Sequence, residues 1–329
     1  RLKTIQQEKL NNQVAELDVA TSENNIQESI AQVYIQILYA AESVKVNEST
    51  LQVSIAQRDR GQELLNAGSI AKSDFAQLEA QVSTDRYQLV TAQATLEDYK
   101  LQLKQLLELD GENEMNIYLP ALSDENVLAP LPTKKDVYIR ALSLRPEIEA
   151  SKLNVEASEL GIGIAKSSYL PTISLSAGIG TNHTSGSDFT FGEQVKNGWN
   201  NSIGLSVSVP IFNNRQTKSA VQKAKLQYET SMLSLLDEQK TLYKTIEGLW
   251  LDANSAQQRY AAANEKLKST QISYELISEQ FNLGMKNTIE LLTEKNNLLQ
   301  AQQEQLQAKY MAILNMQLLK FYQGDQLAI

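Results

Sequence analysis

The sequence predicts a mainly α-helical chain with a small membrane-type β part, its helices arranged as an internally duplicated set of long antiparallel coiled-coil hairpins. Three observations predict this. Residues 1–109 recur, without a gap, 216 positions further on. In both copies the apolar residues repeat at alternating spacings of four and three, the pattern of a coiled-coil seam. Between the copies the period drops to two, in two segments without a single charge. Self-similarity at a fixed offset marks a duplicated architecture, and a change of period marks the passage from helix to strand.

Each copy reads as a long helix, a Gly-centred tip and a returning helix. Leu10 aligns with Leu226, Tyr34 with Trp250, Leu51 with Leu267, Asn66 with Asn282, Gly68 with Gly284 and Asp74 with Glu290. In the first copy, residues 1–109, the seam of the outgoing helix is Ile26, Ile30, Val33, Ile37, Ala40 and Val44. That helix, over residues 1–65, would be roughly 100 Å long at about 1.5 Å per residue, more than any single compact domain needs. Its tip lies near 66–70, and the returning helix shows Phe75, Leu78 and Val82, then Leu89, Ala92, Leu96, Tyr99, Leu103 and Leu106. Residues 110–143 carry Pro120, Pro130 and Pro132 and a short helix after Thr133. A helix over 144–169 follows, with Pro146 in its first turn, where the missing N–H is an orphan in any case.

Residues 170–211 read as a β-hairpin. Ile173, Leu175, Ala177 and Ile179 fall on one face of the first strand, and Ile203, Leu205, Val207 and Val209 on one face of the second, while the other faces are Ser, Gly and Thr. A soluble hairpin would set charges opposite its apolar face. A small, neutral second face suits lipid outside and a watery lumen inside, and each segment has about the 9–11 residues a tilted strand needs to cross a bilayer. Pro171 and Pro210 sit at the strand ends, where no ladder bond is wasted, and the polar stretch 182–201 reads as an extracellular loop. Two strands cannot close a barrel, and lipid does not tolerate open edges, so further strands must come from elsewhere. The second-copy hairpin, 212–324 with its tip near 282–287, has the seam Leu242, Ile246, Leu249, Ala253, Ala256, Tyr260, Ala263, Leu267, Thr270, Tyr274, Ile277 and Phe281, and a tail of 325–329 ends the chain.

Composition narrows the function classes. With only 6% aromatic residues, 14 Gly and 6 Pro, the profile is that of long helices rather than a rounded core. No apolar run approaches the ~18 residues of a membrane-spanning helix. A net charge of −9 argues against nucleic acid, whose phosphates need concentrated Lys and Arg. The absence of cysteine removes thiolate chemistry and Cys-based metal sites. His183 is the single histidine and has no neighbouring carboxylate pair, so no catalytic residue, metal site or cofactor is expected. The opening Arg1-Leu2-Lys3-Thr4 already lies in a helical pattern, without a signal peptide, and reads as a processed or truncated start.

Four motifs carry a family resemblance: Leu144-Arg145-Pro146-Glu147-Ile148, Tyr169-Leu170-Pro171-Thr172-Ile173, Ser208-Val209-Pro210-Ile211-Phe212-Asn213 and Phe281-Asn282-Leu283-Gly284. In this order, with this duplication, the chain resembles the TolC-family outer-membrane efflux proteins over essentially its whole length. The resemblance implies a homotrimer in which each subunit gives four strands to one 12-stranded barrel and its helices to a trimeric α-barrel crossing the periplasm. It places 110–143 in an equatorial belt. It also implies that the first-copy counterpart of 134–216, with the first β-hairpin, lies upstream of residue 1.

The resemblance further implies a gate at the periplasmic tips. The family pattern has an aromatic three residues before the tip Gly, a basic residue two after it and acids six and nine after it. It falls on Phe281, Lys286 and Glu290, with Thr293 in the place of the second acid and Glu294 beside it. In the first copy Asp74 matches Glu290, and Ile70 replaces the basic residue. A ring of Asp74 and Glu290 would select cations or hold the closed state through Lys286; acids just after a helix start also stabilise the macrodipole and need no other purpose. Leu65, Asn66, Gly68, Asn282, Leu283 and Gly284 are the expected docking surface for a periplasmic adaptor's helical hairpin, against the plainer reading of turn geometry. The expected function is a passive exit duct of a tripartite efflux or type I secretion system, fed by an inner-membrane pump. The expected place is the outer membrane of a Gram-negative bacterium, against its lipid. A soluble coiled-coil scaffold and a periplasmic adaptor are the alternatives, the latter with one hairpin rather than two.

Overall fold

The structure is a computed structural model that describes residues 1–109, 117–118, 120, 127–186 and 188–327. Helix α1 (Leu2–Asn66) and helix α2 (Lys72–Leu106) form the first hairpin. Helix α3 (Lys134–Leu144) and helix α4 (Pro146–Ser167) lead to strand β1 (Thr172–Gly180), a short helix α5 (Phe191–Asn197) and strand β2 (Asn200–Ser208). Helix α6 (Gln216–Asn282) and helix α7 (Thr288–Tyr322) form the second hairpin. Part of the segment 110–143 and the last two residues of the tail lie outside the described residues. No described helix is long and apolar enough to cross a membrane.

The chain divides into two compact units. One comprises Arg1–Leu17 and Glu149–Glu238. In it the start of α1 packs on α4, where Gln7 Nε2 donates to the Ala157 carbonyl at 2.9 Å. Gly163 of α4 faces the flexible end of Lys3 of α1, which would have to shift for any Cβ there. The strands of the same unit pair antiparallel with Ile173 opposite Val207, Leu175 opposite Leu205 and Ala177 opposite Ile203. This register gathers every apolar side chain on one face and sets Ser174 opposite Ser206 and Ser176 opposite Gly204 on the other. Pro171 immediately precedes β1 and Pro210 follows β2 by two residues, so neither interrupts the ladder. From β2 the backbone enters α6 through Asn214 and Arg215, both left-handed, with φ of 48° and 61°.

The polar stretch between the strands is not wholly irregular. Thr190 caps α5, its Oγ1 accepting from Glu193 N–H at 3.4 Å while Glu193 returns to Thr190 N–H at 2.9 Å, the reciprocal pattern of a capping box. The imidazole of His183 lies edge-on to Phe191 and bonds the Gln194 amide oxygen at 3.0 Å.

The other unit comprises Asp18–Ile148 and Gln239–Ile329. Leu242, Ile246, Ala253, Ala256, Tyr260, Ala263 and Phe281 are all buried, as a heptad seam requires. In α1 the simple seam broadens: Ala31, Ile35, Leu38 and Ala41 are buried together with Ile37 and Ala40, whereas Ile26 is exposed. The reason is packing on more than one side. Ile35 and Leu38 join a cluster with Val127, Tyr260, Tyr310 and Ile313, so here α1 buries a wide face, not a stripe. A second cluster joins Val137 and Ala141 of α3 and Ile148 of α4 to Ile246 and Leu319.

Between α3 and α4 stands Arg145, which is 6% exposed. Its Nη2 donates to Glu28 at 2.7 Å and its Nε to Glu147 at 3.0 Å, and the guanidinium stacks 3.8 Å from the Tyr322 ring centre. Pro146, the next residue, is the first of α4, which leaves the backbone free to turn a corner around this side chain. Replacing Arg145 with Ala strands two partly buried carboxylates and should cost about 3 kcal/mol in denaturant unfolding of the intact protein. Arg145→Lys should recover only part of that loss, because an ammonium offers neither the fork nor the stacking plane. Equal stability of all three proteins would show that this corner does not depend on the guanidinium.

Candidate functional site

Both helical tips lie in the second unit and are built by the same backbone chemistry. At the first, Gly68 N–H donates to Leu65 O at 3.0 Å and Ser69 N–H to Leu64 O at 2.8 Å. At the second, Gly284 N–H donates to Phe281 O at 2.9 Å and Met285 N–H to Gln280 O at 2.8 Å. These are paired Schellman closures, and they need the left-handed glycines found there, with φ of 71° and 73°.

The helices that leave the two tips start differently. Asn287 caps α7: its Oδ1 accepts from Glu290 N–H at 2.9 Å, and Glu290 Oε2 accepts from Asn287 N–H at 3.2 Å. The other Glu290 oxygen takes the Lys286 ammonium at 2.5 Å. These bonds, that from Lys286 foremost, hold the Glu290 carboxyl below the usual carboxylate range. In the first copy Ala71 occupies the cap position and offers no acceptor, so only half the box survives, Asp74 Oδ2 accepting from Ala71 N–H at 3.3 Å. Thr293 turns back on its own helix, donating to Ile289 O at 2.7 Å, and Glu294 accepts from Ser273 of α6 at 3.0 Å.

The remaining expected site residues divide between interior and surface. Phe281 is 2% exposed and packs with Leu78 and Leu291, so in this structure it ties the two hairpins together from inside. Leu65 is half-buried, while Asn66, Gly68, Asn282, Leu283 and Gly284 are exposed. Arg60 Nη2 reaches the Asn282 carbonyl at 3.3 Å. Sequence reading missed two further residues of the second tip, Met285 and Ile289, which stand exposed beside Leu283. Their first-copy counterparts are Ser69 and Ser73, and that of Leu283 is Ala67, so only the second tip presents an apolar surface of this size.

Also missed was a buried charge cluster above the tips. Lys295 donates to Asp85 and Ser54, Ser54 donates to Asp85, and Gln81 Nε2 donates to the other Asp85 oxygen at 2.9 Å. The side chains of Lys295 and Asp85 are 3% and 1% exposed. Burial pulls the Lys295 ammonium below its ordinary range, against the opposing pull of Asp85. The signal was present in the heptads. Between Val82 and Leu89 the seam of α2 passes through position 85, and between Leu291 and Leu298 that of α7 passes through 295.

Residues 137–324 match the family described as Outer membrane efflux protein. Among curated proteins, the chain is 24% identical to outer membrane efflux protein BepC of Brucella suis and 23% identical to outer membrane protein TolC of Escherichia coli. Those matches cover 88% and 92% of this chain and 60% and 62% of the relatives, so the chain spans about three fifths of their length. Alkaline protease secretion protein AprF of Pseudomonas aeruginosa is 21% identical over 90% of the chain and 60% of its own. The fold is that of solved outer-membrane channels. OprN superposes with a TM-score of 0.81 at 19% identity, over 98% of this chain and 70% of its own. The Campylobacter jejuni CmeC channel does so with 0.80 at 19% identity, over 99% and 68%. With more than half of its residues inside the family match, and both hairpins and the strand pair in the fold of these channels, the chain belongs to the outer membrane efflux protein family.

Proposed function

We propose that this chain forms most of a passive outer-membrane exit duct, conducting solutes or polypeptides from the periplasmic side to the outside. The observation that carries the reading is the hairpin register. Its apolar face is exposed, with Leu175 76% and Ile203 85% accessible, and the opposite face is Ser and Gly with Thr172 and Asn200 at its end pairs. Such a pair suits lipid on one side and a watery lumen on the other. Its two outer edges require further strands, and three copies giving four strands each to a 12-stranded barrel meet that requirement without an open edge. The helical hairpins then form the periplasmic tunnel, with the segment 110–143 as its belt. The duct supplies no energy, has no catalytic residue and binds no cofactor. An inner-membrane pump drives transport through a periplasmic adaptor, which docks on the exposed tips at Leu65, Asn66, Gly68, Asn282, Leu283 and Gly284.

The gate is the ring of tips, with Asp74 and Glu290 as its acids, Phe281 as its internal brace and Lys286 neutralising Glu290. Among the described residues, the strand face turned to the lumen in this reading is Ser and Gly with Thr and Asn, without a charge to select a cargo. That fits a family whose members include a protein named for alkaline protease secretion and others named for efflux.

Reconstitution tests the reading. The intact protein should run as a trimer in detergent and give stepwise conductance in planar bilayers; a water-soluble monomer without channel activity would refute it. Within that assay, Glu290→Lys should raise single-channel conductance or weaken cation selectivity, because it sets like charge beside Lys286. Unchanged conductance and selectivity would reduce Glu290 to a helix cap. The pH profile carries a sign. The Glu290 carboxyl is shifted down in the folded state, so its contribution is complete above the ordinary carboxylate pKa of about 4.3 and disappears only as pH falls through the lower folded value. The closed level should therefore hold from neutrality down to about pH 4.5 and give way below it. Opening between pH 5 and 7 in wild type would assign control to another group.

A further inference from the structure

The buried charges of the second unit occupy positions that a coiled coil reserves for apolar side chains. Ser54 lies on α1, Asp85 on α2 and Lys295 on α7, each on the buried seam of its helix. Of the ion pairs along the helical hairpins, those of Lys45, Lys100 and Lys266 leave at least 29% of each side chain exposed. The Lys295–Asp85 pair is almost wholly enclosed. Both oxygens of Asp85 are occupied, one by Lys295 and Ser54 and the other by Gln81. A buried pair adds little net stability compared with apolar residues of the same volume. What it adds is register, because sliding one helix by a turn sets each charge against leucines.

The duplication shows that the long helices can pack without this device. Asp85 aligns with Ala301, Lys295 with Glu79 and Ser54 with Thr270, so the equivalent level of the other copy has no matching triad. The location matters as well. Leu291 lies one turn before Lys295 and Leu78 two turns before Asp85, and these leucines hold Phe281 behind the second tip. Lys295 is five residues past Glu290, about 7.5 Å along the helix. The triad therefore fastens the first hairpin to α7 immediately above the leucine cluster that joins the tips.

We propose that Ser54, Asp85 and Lys295 form a latch that holds the first hairpin against α7 in a single register and so sets how readily the tips part. The proposal rests on the duct reading. Separating α2 from α7 at this level breaks the ion pair and exposes its charges to water in a new arrangement, so the latch favours the closed tip. Asp85 and Lys295 act here by positioning; they need not touch the cargo.

The test uses the intact protein in planar bilayers, with the trimer and its thermal midpoint checked in detergent. D85N and K295M each leave one buried group without its charged partner. Both should increase the fraction of time spent above the wild-type closed level by roughly fivefold to tenfold, the equilibrium shift expected for loss of one charge-assisted contact. The charge exchange D85K/K295D should bring that fraction back toward wild type. The apolar double variant D85L/K295M should keep or raise the thermal midpoint and yet show a raised or heterogeneous closed level. It decides the matter if the single variants fail to assemble. Folded D85L/K295M trimers with the wild-type closed level and open fraction would overturn the latch. A wild-type protein that forms no channel would instead overturn the duct reading.

Discussion

Every residue of β1 and β2 carries a backbone donor and acceptor, and in a two-stranded sheet half of these point away from the partner strand. In water that is a modest liability; in hydrocarbon each unsatisfied group costs several kcal/mol. The exposed apolar face formed by Ile173, Leu175, Ala177, Ile203, Leu205 and Val207 makes water an equally poor environment for the same strands. The hairpin thus meets two demands at once, an apolar surround for its side chains and strand partners for its edges. Closure with further strands would satisfy both, and in the proposed trimer symmetry supplies them at no cost in new sequence. The neutral second face follows from this: Ser and Gly let hairpins curve into a barrel without filling its lumen.

The helices solve a different problem, that of length without a core. Helices packed two or three together bury little per residue, and most of their stability comes from seam contacts repeated every heptad. Where the second unit thickens, burial rises sharply. Tyr260 is fully buried, and Tyr310 is enclosed enough for its phenol to be pushed up to about 12, mostly by desolvation and secondarily by Glu42. Among the described residues two cations are enclosed, and both stand at places where a simple seam cannot continue. Arg145 fills the corner between α3 and α4, stacked on Tyr322 and shared by two glutamates. Lys295 joins three helices where the hairpins converge on their tips. In each case a charged group with several partners sets an angle or a register that leucines would leave free to slide.

Periodicity made the long helices, the tips and the strand pair legible, because each has a period or a punctuating residue that local sequence dictates. Gly68 and Gly284 had to end helices, since only a left-handed residue completes the closure found there. The heptads of α6 also gave seven of its buried residues, from Leu242 to Phe281, while Thr217, buried where the helix begins, lies outside that seam. What stayed hidden depends on neighbours distant in sequence. Nothing near Ile35 or Leu38 announces that Val127 and Ile313 will cover a second side of α1. Phe281 reads in sequence both as the last seam residue of α6 and as a tip aromatic, but that Leu78 and Leu291 close on it from other helices is not visible locally. Asp85 and Lys295 went unread, although opposite charges at two seam positions were themselves the signal. The capped helix α5 within the polar loop went unread for a simpler reason: seven residues are too few to show a helical period.

Comparison of the two copies separates what backbone geometry demands from what it leaves open. The closures at the tips are the same in bond pattern and in glycine conformation. Around them the side chains have diverged: Ala67 against Leu283, Ser69 against Met285, Ile70 against Lys286 and Ala71 against Asn287. A changed glycine would strain the turn whatever the environment, since each has open space where a Cβ would stand and only its φ is restrictive. The neighbouring positions carry no such constraint. An ancestral symmetric hairpin could therefore keep its turn while one tip acquired an apolar surface and an internally neutralised acid and the other stayed small and polar. In the proposed trimer the two kinds of tip would alternate, and a partner engaging that ring would meet six helical turns of one backbone shape with two chemistries.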